Sequence, residues 1–311
     1  MIYVGKDKFT FKISAGVWGF EALGYPEVLF NPQRIASALR HSHMHHWPVM
    51  AFLWCKLALQ TLLLWTKYLN TCDFVFTTPT LSAVPLKTPA KTGIGLVRAT
   101  LPDPSLLQWI DTRLPNLKRR GIRPMVSIEP HTPSEARYML GLLVACRKDI
   151  FGVELSLRSP RAGGSTRANL DYQIAISIIQ ETLQTCTELC WQEAFLVLRL
   201  SIGHPWKDII HWTANRFDAI ELTESLPEQA LHGGDAPFEG SVFEKTVAAV
   251  HQAIKLTRTP IIAGGNIRGR NDILRMSKAG AAAVSIGAGL WETPIRMSVL
   301  AHESRMQTVS P

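Results

Sequence analysis

The sequence predicts a single α/β domain spanning residues 1–311 and built as a (β/α)8 TIM barrel, and three observations carry that expectation. Short, β-branched, apolar runs recur eight times along the chain. Segments with helical periodicity alternate with them. The strand-like runs are continuously apolar rather than alternating, as expected for parallel strands covered on both faces. Eight strand–helix units in one chain close a barrel.

Taken in order, the strand-like runs are 11–15, 73–77, 124–128, 152–157, 194–200, 218–222, 260–263 and 283–286. Helical patterns cover 104–119, 133–146, 168–189, 206–213, 242–256, 269–279 and 290–302. In the first of these, Leu106, Leu107, Ile110, Leu114 and Leu117 share a face. Thr132 before Pro133 reads as an N-cap followed by a proline at the first helical position. Residues 20–70 form a far longer connection than one helix needs. They read as a helical insertion between strands one and two that packs on the barrel without being an independent domain.

Composition excludes several classes. With 46% hydrophobic and 19% charged residues, the chain is not mainly disordered. The five cysteines, at 55, 72, 146, 186 and 190, form no CxxC pair and are an odd number, so a reduced, cytoplasmic protein is expected. Cys186 and Cys190, four apart, suit one side of a core helix. The first eleven residues lack the apolar run of a signal peptide. Residues 48–65 are apolar enough to raise the question of a membrane span, but Lys56 and Gln60 interrupt them. A buried helix is expected, with no stable membrane insertion. The net charge of +8 is spread along the chain, and Lys118-Arg119-Arg120 is only a short run at a helix end. No nucleic-acid partner is expected. A cationic pocket for an anionic small molecule is consistent with the charge. The histidines between 41 and 46 fit no closed metal-site spacing, so no metal is expected. The sequence leaves a homodimer open.

In such barrels chemistry lies at the C-terminal strand ends, with phosphate often gripped after strands seven and eight. Gly264-Gly265-Asn266-Ile267 follows the seventh strand, and Gly287-Ala288-Gly289 follows the eighth. Paired glycines let backbone N–H groups approach an anion. The pair of motifs suits either a phosphorylated substrate or the tail of flavin mononucleotide (FMN). A bulky residue at Gly265 should empty this site with little loss of fold.

Several segments together resemble the dihydroorotate dehydrogenase (DHODH) family of flavin enzymes. Ser14-Ala15-Gly16-Val17-Trp18-Gly19 is similar to the family's first-strand turn against the flavin. Thr77-Thr78-Pro79-Thr80 stands where the family has a Thr-Lys-Ser/Thr-x-Thr segment. Glu154-Leu155-Ser156-Leu157-Arg158-Ser159-Pro160-Arg161 resembles the Glu-Leu-Asn-x-Ser-Cys/Ser-Pro-Asn signature. Val197-Leu198-Arg199-Leu200-Ser201 resembles Val-Lys-Leu-Ser/Pro, and Gly233-Gly234 through Gly240-Ser241 resembles the glycine-rich loop before the seventh unit. The resemblance covers most of the chain outside 20–70. It implies FMN held by Ala15, Gly16, Thr77, Thr78, Arg199, Gly234, Gly240, Gly264, Gly265, Gly287 and Ala288. It also implies Ser159 as the catalytic base and Arg199 as a fixed cation beside the flavin.

The departures from the family pattern bear on the substrate. The two signature asparagines are Ser156 and Arg161 here, another falls near Arg98, and one after strand six is Glu224, next to Ser225. A site built to hydrogen-bond one ring rejects others, so orotate is not the expected substrate. The family's flavin lysines are Thr77 and Arg199 here, and Arg199 could alternatively be an ion pair with Glu221 or Glu224. Arg98, Arg158, Arg161 and Arg199 suggest a mouth with surplus positive charge and a small anionic substrate. The sequence thus supports an FMN-dependent oxidoreductase acting on a CH–CH bond. Two alternatives remain: a flavin-free lyase or isomerase that binds a phosphorylated substrate, and a non-catalytic family member.

Overall fold

A computed structural model describes residues 2–4, 7–9, 11–14, 74–84, 105–157, 172–202, 205–223 and 239–286, apart from positions 79, 120, 122, 192, 214, 266 and 268. The insertion at 20–70, with its histidines and the apolar 48–65 segment, lies outside them. So does the helix expected at 290–302.

Eight strands form a closed ring of parallel neighbours. In chain order they are β3 (Phe11–Ser14), β4 (Phe74–Thr77), β5 (Met125–Ile128), β6 (Gly152–Leu157), β7 (Phe195–Ser201), β8 (Ala219–Thr223), β9 (Ile261–Gly264) and β10 (Ala283–Ile286). β10 pairs with β3 through Val284↔Phe11 to Ile286↔Ile13 and so closes the ring. The β4–β5 junction is the thinnest, with Thr77↔Met125 in the ladder and a Leu81↔Ile128 bridge past the strand ends. Each predicted strand is within a residue of its observed counterpart at both ends, because short apolar runs bounded by turn residues have few alternatives.

The ring is preceded by a hairpin that the sequence reading missed, β1 (Ile2–Val4) against β2 (Asp7–Phe9). Its signal was present: Val4 pairs with Asp7, so only Gly5 and Lys6 connect the strands, and glycine at the first of two connecting positions suits a tight turn.

Helices follow six of the barrel strands among the described residues. After β4 come α1 (Leu106–Thr112) and α2 (Leu114–Arg119), where one helix was expected. Pro115 explains the break, since it has no N–H to continue the ladder. Ser105 caps α1, accepting from the backbone N–H of Gln108, whose side chain accepts in return from Ser105 N–H. α3 (Pro133–Ala145) starts as expected, with Thr132 Oγ1 accepting from Glu135 N–H at 3.2 Å. The others are α4 (Tyr172–Glu188), α5 (Trp206–Thr213), α6 (Glu239–Leu256) and α7 (Arg270–Lys278). No described helix is long and apolar enough to cross a membrane. α4 ends before Cys190, whose φ of 50° is left-handed, so Cys186 is buried and Cys190 exposed rather than sharing a core stripe. Burial pushes the Cys186 thiol up to about 11, leaving it protonated and inert.

Strand alternation divides the core in two. Outward residues such as Val153, Leu155, Leu198, Leu200 and Leu222 pack under the helices, together with Trp109, Met139 and Leu140. Inward residues Val75, Met125, Phe195, Val197, Ala219, Ile262 and Ala283 form a separate apolar plug inside the ring. Phe151 lies edge-on to Phe195, with centroids 5.6 Å apart. Among the described residues, the interior therefore begins as a packed core and turns polar towards the C-terminal strand ends.

Candidate functional site at the C-terminal strand ends

Above the plug the inward positions change character. β5 continues from Met125 to Ser127, β6 carries Glu154 and Ser156, β7 passes from Val197 to Arg199 and Ser201, and β8 from Ala219 to Glu221 and Thr223. All of these polar residues are buried. Register sets Ser156, Arg199 and Glu221 side by side on three adjacent strands.

The charged residues form one network. Arg199 Nη1 donates to Glu154 Oε1 at 3.2 Å, and Arg199 Nε lies 3.5 Å from Glu221 Oε1. The two carboxylates are 0% exposed and the arginine is 7% exposed. Ser127 Oγ donates to the same Glu154 oxygen at 2.8 Å, and Thr80 Oγ1 lies 3.2 Å from Ser127 Oγ. A buried carboxylate is stable only when paired and hydrogen-bonded, and Glu154 meets both conditions. Two carboxylates therefore share one guanidinium. This corrects the expectation that Arg199 adds to a surplus of positive charge: its charge is already matched from both sides. Of the two partners weighed for it in the sequence, Glu221 is the one observed; Glu224 lies outside the described residues.

The described site residues fall into three groups. Thr77 and Ser156 are buried inside the ring, and neither hydroxyl has a hydrogen-bond partner among the described residues. Such orphaned groups are costly unless something completes them. Thr78 is employed in the fold: its Oγ1 accepts from Ser127 N–H at 2.9 Å and its own N–H donates to Met125 O. Gly240 is not in a loop but in the first turn of α6, because the helical pattern extends back to Glu239.

The glycines after β9 require a second correction. A Cβ on Gly264 would lie 3.2 Å from Thr223 Cβ and 3.4 Å from Glu221 Oε1, so its small size brings β9 against the polar network. Gly265 has φ of 117°, a region that side-chain-bearing residues rarely adopt. Gly265→Val is therefore expected to cost stability by about 1–3 kcal/mol, against the expectation of little loss of fold. A urea titration checks this; an unchanged midpoint would show that the strand end tolerates a side chain there.

Ala15, Gly16, Arg98, Ser159, Arg161, Glu224, Ser225, Gly234, Gly287 and Ala288 lie outside the described residues, as does Arg158. Ser127, Glu154 and Thr80 were not expected as site residues, although Glu154 and Thr80 stand in segments that resemble the family's. The available signal was a charged residue inside an apolar strand, Glu154, Arg199 and Glu221 each two or three residues before the strand end. No group of three or more candidate metal ligands occurs among the described residues.

No protein-family model and no curated protein matches the sequence. Solved structures are similar in fold. DHODH from Eimeria tenella in complex with ferulenol has a TM-score of 0.56 at 15% identity, covering 78% of each chain. Ligand-free DHODH from the same organism has a TM-score of 0.53 at 17% identity, covering 78% of this chain and 79% of that one. These likenesses show the class of fold, a parallel strand barrel clothed in helices, and at such identities they show the fold alone.

Proposed function

We propose that this chain is a complete (β/α)8 barrel and an FMN-dependent oxidoreductase of the DHODH-like type. It would act on a small, anionic substrate other than orotate, with C–C oxidation or C=C reduction as the reaction. The observation that carries the reading is the pair of buried, orphaned hydroxyls, Thr77 at the end of β4 and Ser156 on β6, the second in register with Arg199. They stand at positions where the family resemblance places cofactor and substrate contacts, on a fold shared with DHODH structures. A flavin ring edge alternates acceptors with an N–H donor, and a guanidinium with two hydroxyls can serve such an edge, so the residues present fit the group.

When bound, the flavin would supply the hydride acceptor or donor. The chain's own residues would do the remainder. Arg199, held by Glu154 and Glu221, would present a guanidinium in one fixed orientation. Gly264 and Gly265 would leave room for a phosphate at the end of β9. Ser159 would take or return the substrate proton, with Arg161 and Arg98 supplying charge for the anion.

The deciding experiment is the visible absorption spectrum of the purified protein. A yellow protein releasing stoichiometric FMN on denaturation is expected, and a colourless protein that does not take up added FMN would overturn the reading. In a yellow protein, Ser159→Ala should keep the flavin but lower turnover of a reactive substrate by about 10²-fold or more. Unchanged turnover would assign the base elsewhere. The flavin-free lyase or isomerase is the second reading, favoured by the matching of the Arg199 charge by two carboxylates and by threonine at position 77.

A further inference from the structure

The end of the barrel opposite the candidate site carries its own cluster of charge. Lys118 and Arg119 close α2, and Arg123 lies just before β5. Arg147, Lys148 and Asp149 form a short 3-10 helix between α3 and β6. The two turns are neighbours because β5 and β6 pair, with Met125 opposite Gly152. Side-chain and backbone bonds pin one turn to the other. Arg123 donates from Nε and Nη2 to the Ile150 carbonyl at 3.2 and 2.9 Å, and Phe151 N–H donates to Pro124 O at 2.8 Å. Lys118 Nζ lies 3.0 Å from Asp149 Oδ2.

Beside these turns is a hollow of about 550 Å³. Lys118, Arg147 and Lys148 line it with Asp149, and Val144, Ala145 and Cys146 complete its wall. The charge does not cancel. Asp149 is paired with Lys118, and among the described residues no carboxylate pairs with Arg147 or Lys148. Basic residues in the last turn of a helix complement its dipole, and Lys118 and Arg119 of α2 stand in such a turn. Arg147 and Lys148 lie beyond the last turn of α3, which itself holds no basic residue, and both are exposed beside the hollow. The dipole effect falls off within that turn, so it does not account for them.

We propose that this hollow binds a soluble small molecule bearing two or more phosphate groups. Its volume falls in the range of small-molecule sites, roughly 300–1,000 Å³. A guanidinium takes two phosphate oxygens at once, and the lysines add point charges. Several cations around one hollow favour an anion of more than one charge. The bonds between the turns hold the site in place before the ligand arrives, so little ordering opposes binding. Chemistry in such barrels lies at the other face, so this ligand is distinct from the substrate, and the assignment does not depend on flavin.

Calorimetric titration of the full chain with tripolyphosphate tests the proposal. Saturable binding is expected, weakening as salt screens the exposed charges. The double variant Arg147→Ala, Lys148→Ala should weaken it by about tenfold or more, with the urea midpoint unchanged. Asp149→Asn should tighten it, because Lys118 is released to the ligand. Lys255→Ala, which removes an exposed lysine near the end of α6, should leave it unaltered. Absence of binding, equal weakening by Lys255→Ala, or weaker binding in Asp149→Asn would each overturn the proposal. So would orthophosphate binding as tightly as tripolyphosphate, since a second phosphate would then add nothing. Binding to phosphatidylserine vesicles with none to tripolyphosphate would also overturn it and assign the charge to a membrane surface.

Discussion

Arg199→Ala is expected to destabilise the fold by about 3–5 kcal/mol, the scale for breaking a buried ion pair on one side. Glu154 and Glu221 are both 0% exposed, and the guanidinium is the cation they share. Alanine removes that cation and leaves two carboxylates close together in the interior, where like charges interact strongly. Acid conditions, which neutralise carboxylates, should return part of the loss. Arg199→Lys should lose less, since an ammonium keeps the charge but cannot span both carboxylates with a planar fork. A contrasting variant replaces all three residues by methionine or leucine and should be much less destabilised than Arg199→Ala, because it strands no charge. Urea denaturation at neutral and acid pH measures all three. A loss below about 1 kcal/mol for Arg199→Ala would be the size of an exposed pair and would rule out the buried network.

Trp109→Ala should cost a similar amount, about 3–5 kcal/mol, for a different reason. Trp109 lies on α1, is 0% exposed and is among the largest fully buried side chains. It belongs to the layer between helices and strands, where Leu106, Leu114 and Leu117 are also buried. Removing an indole from close-packed surroundings loses its transfer energy and leaves a cavity that neighbours fill only in part. Trp109→Phe should recover much of the difference. The measurement is thermal or urea unfolding of both variants, with the visible spectrum recorded alongside. A loss confined to stability, with the mouth of the barrel unaffected, is the expected pattern, since Trp109 packs on the outer side of the sheet.

The strands were legible because each is a short apolar run closed off by glycine, proline or charged residues, and a run such as Gly152–Leu157 has little freedom to be read otherwise. Pro115 shows the limit of periodicity: Leu106, Ile110, Leu114 and Leu117 fit one continuous face, yet a missing N–H divides the helix into two. The hairpin at Ile2–Val4 and Asp7–Phe9 escaped notice because three-residue strands carry almost no periodic signal.

For the site, the sequence alone determined the kind of place where chemistry belongs: the C-terminal ends of parallel strands, with glycines at the end of the seventh. It also placed Arg199 among the residues that matter. Only the tertiary structure decided what surrounds that arginine. Glu154, Arg199 and Glu221 lie 45 residues or fewer apart in successive steps along the chain, and nothing local couples them. Strand register sets Arg199 beside Glu221 and two residues beyond the partner of Glu154, within reach of both, and burial there makes the pairing obligatory, because an unpaired charge in a dry interior costs more than the fold can spare. The same closure set what else Gly264 and Gly265 do besides the phosphate grip expected of them: Thr223 and Glu221 press against the first, and the second holds a backbone angle that a side chain resists.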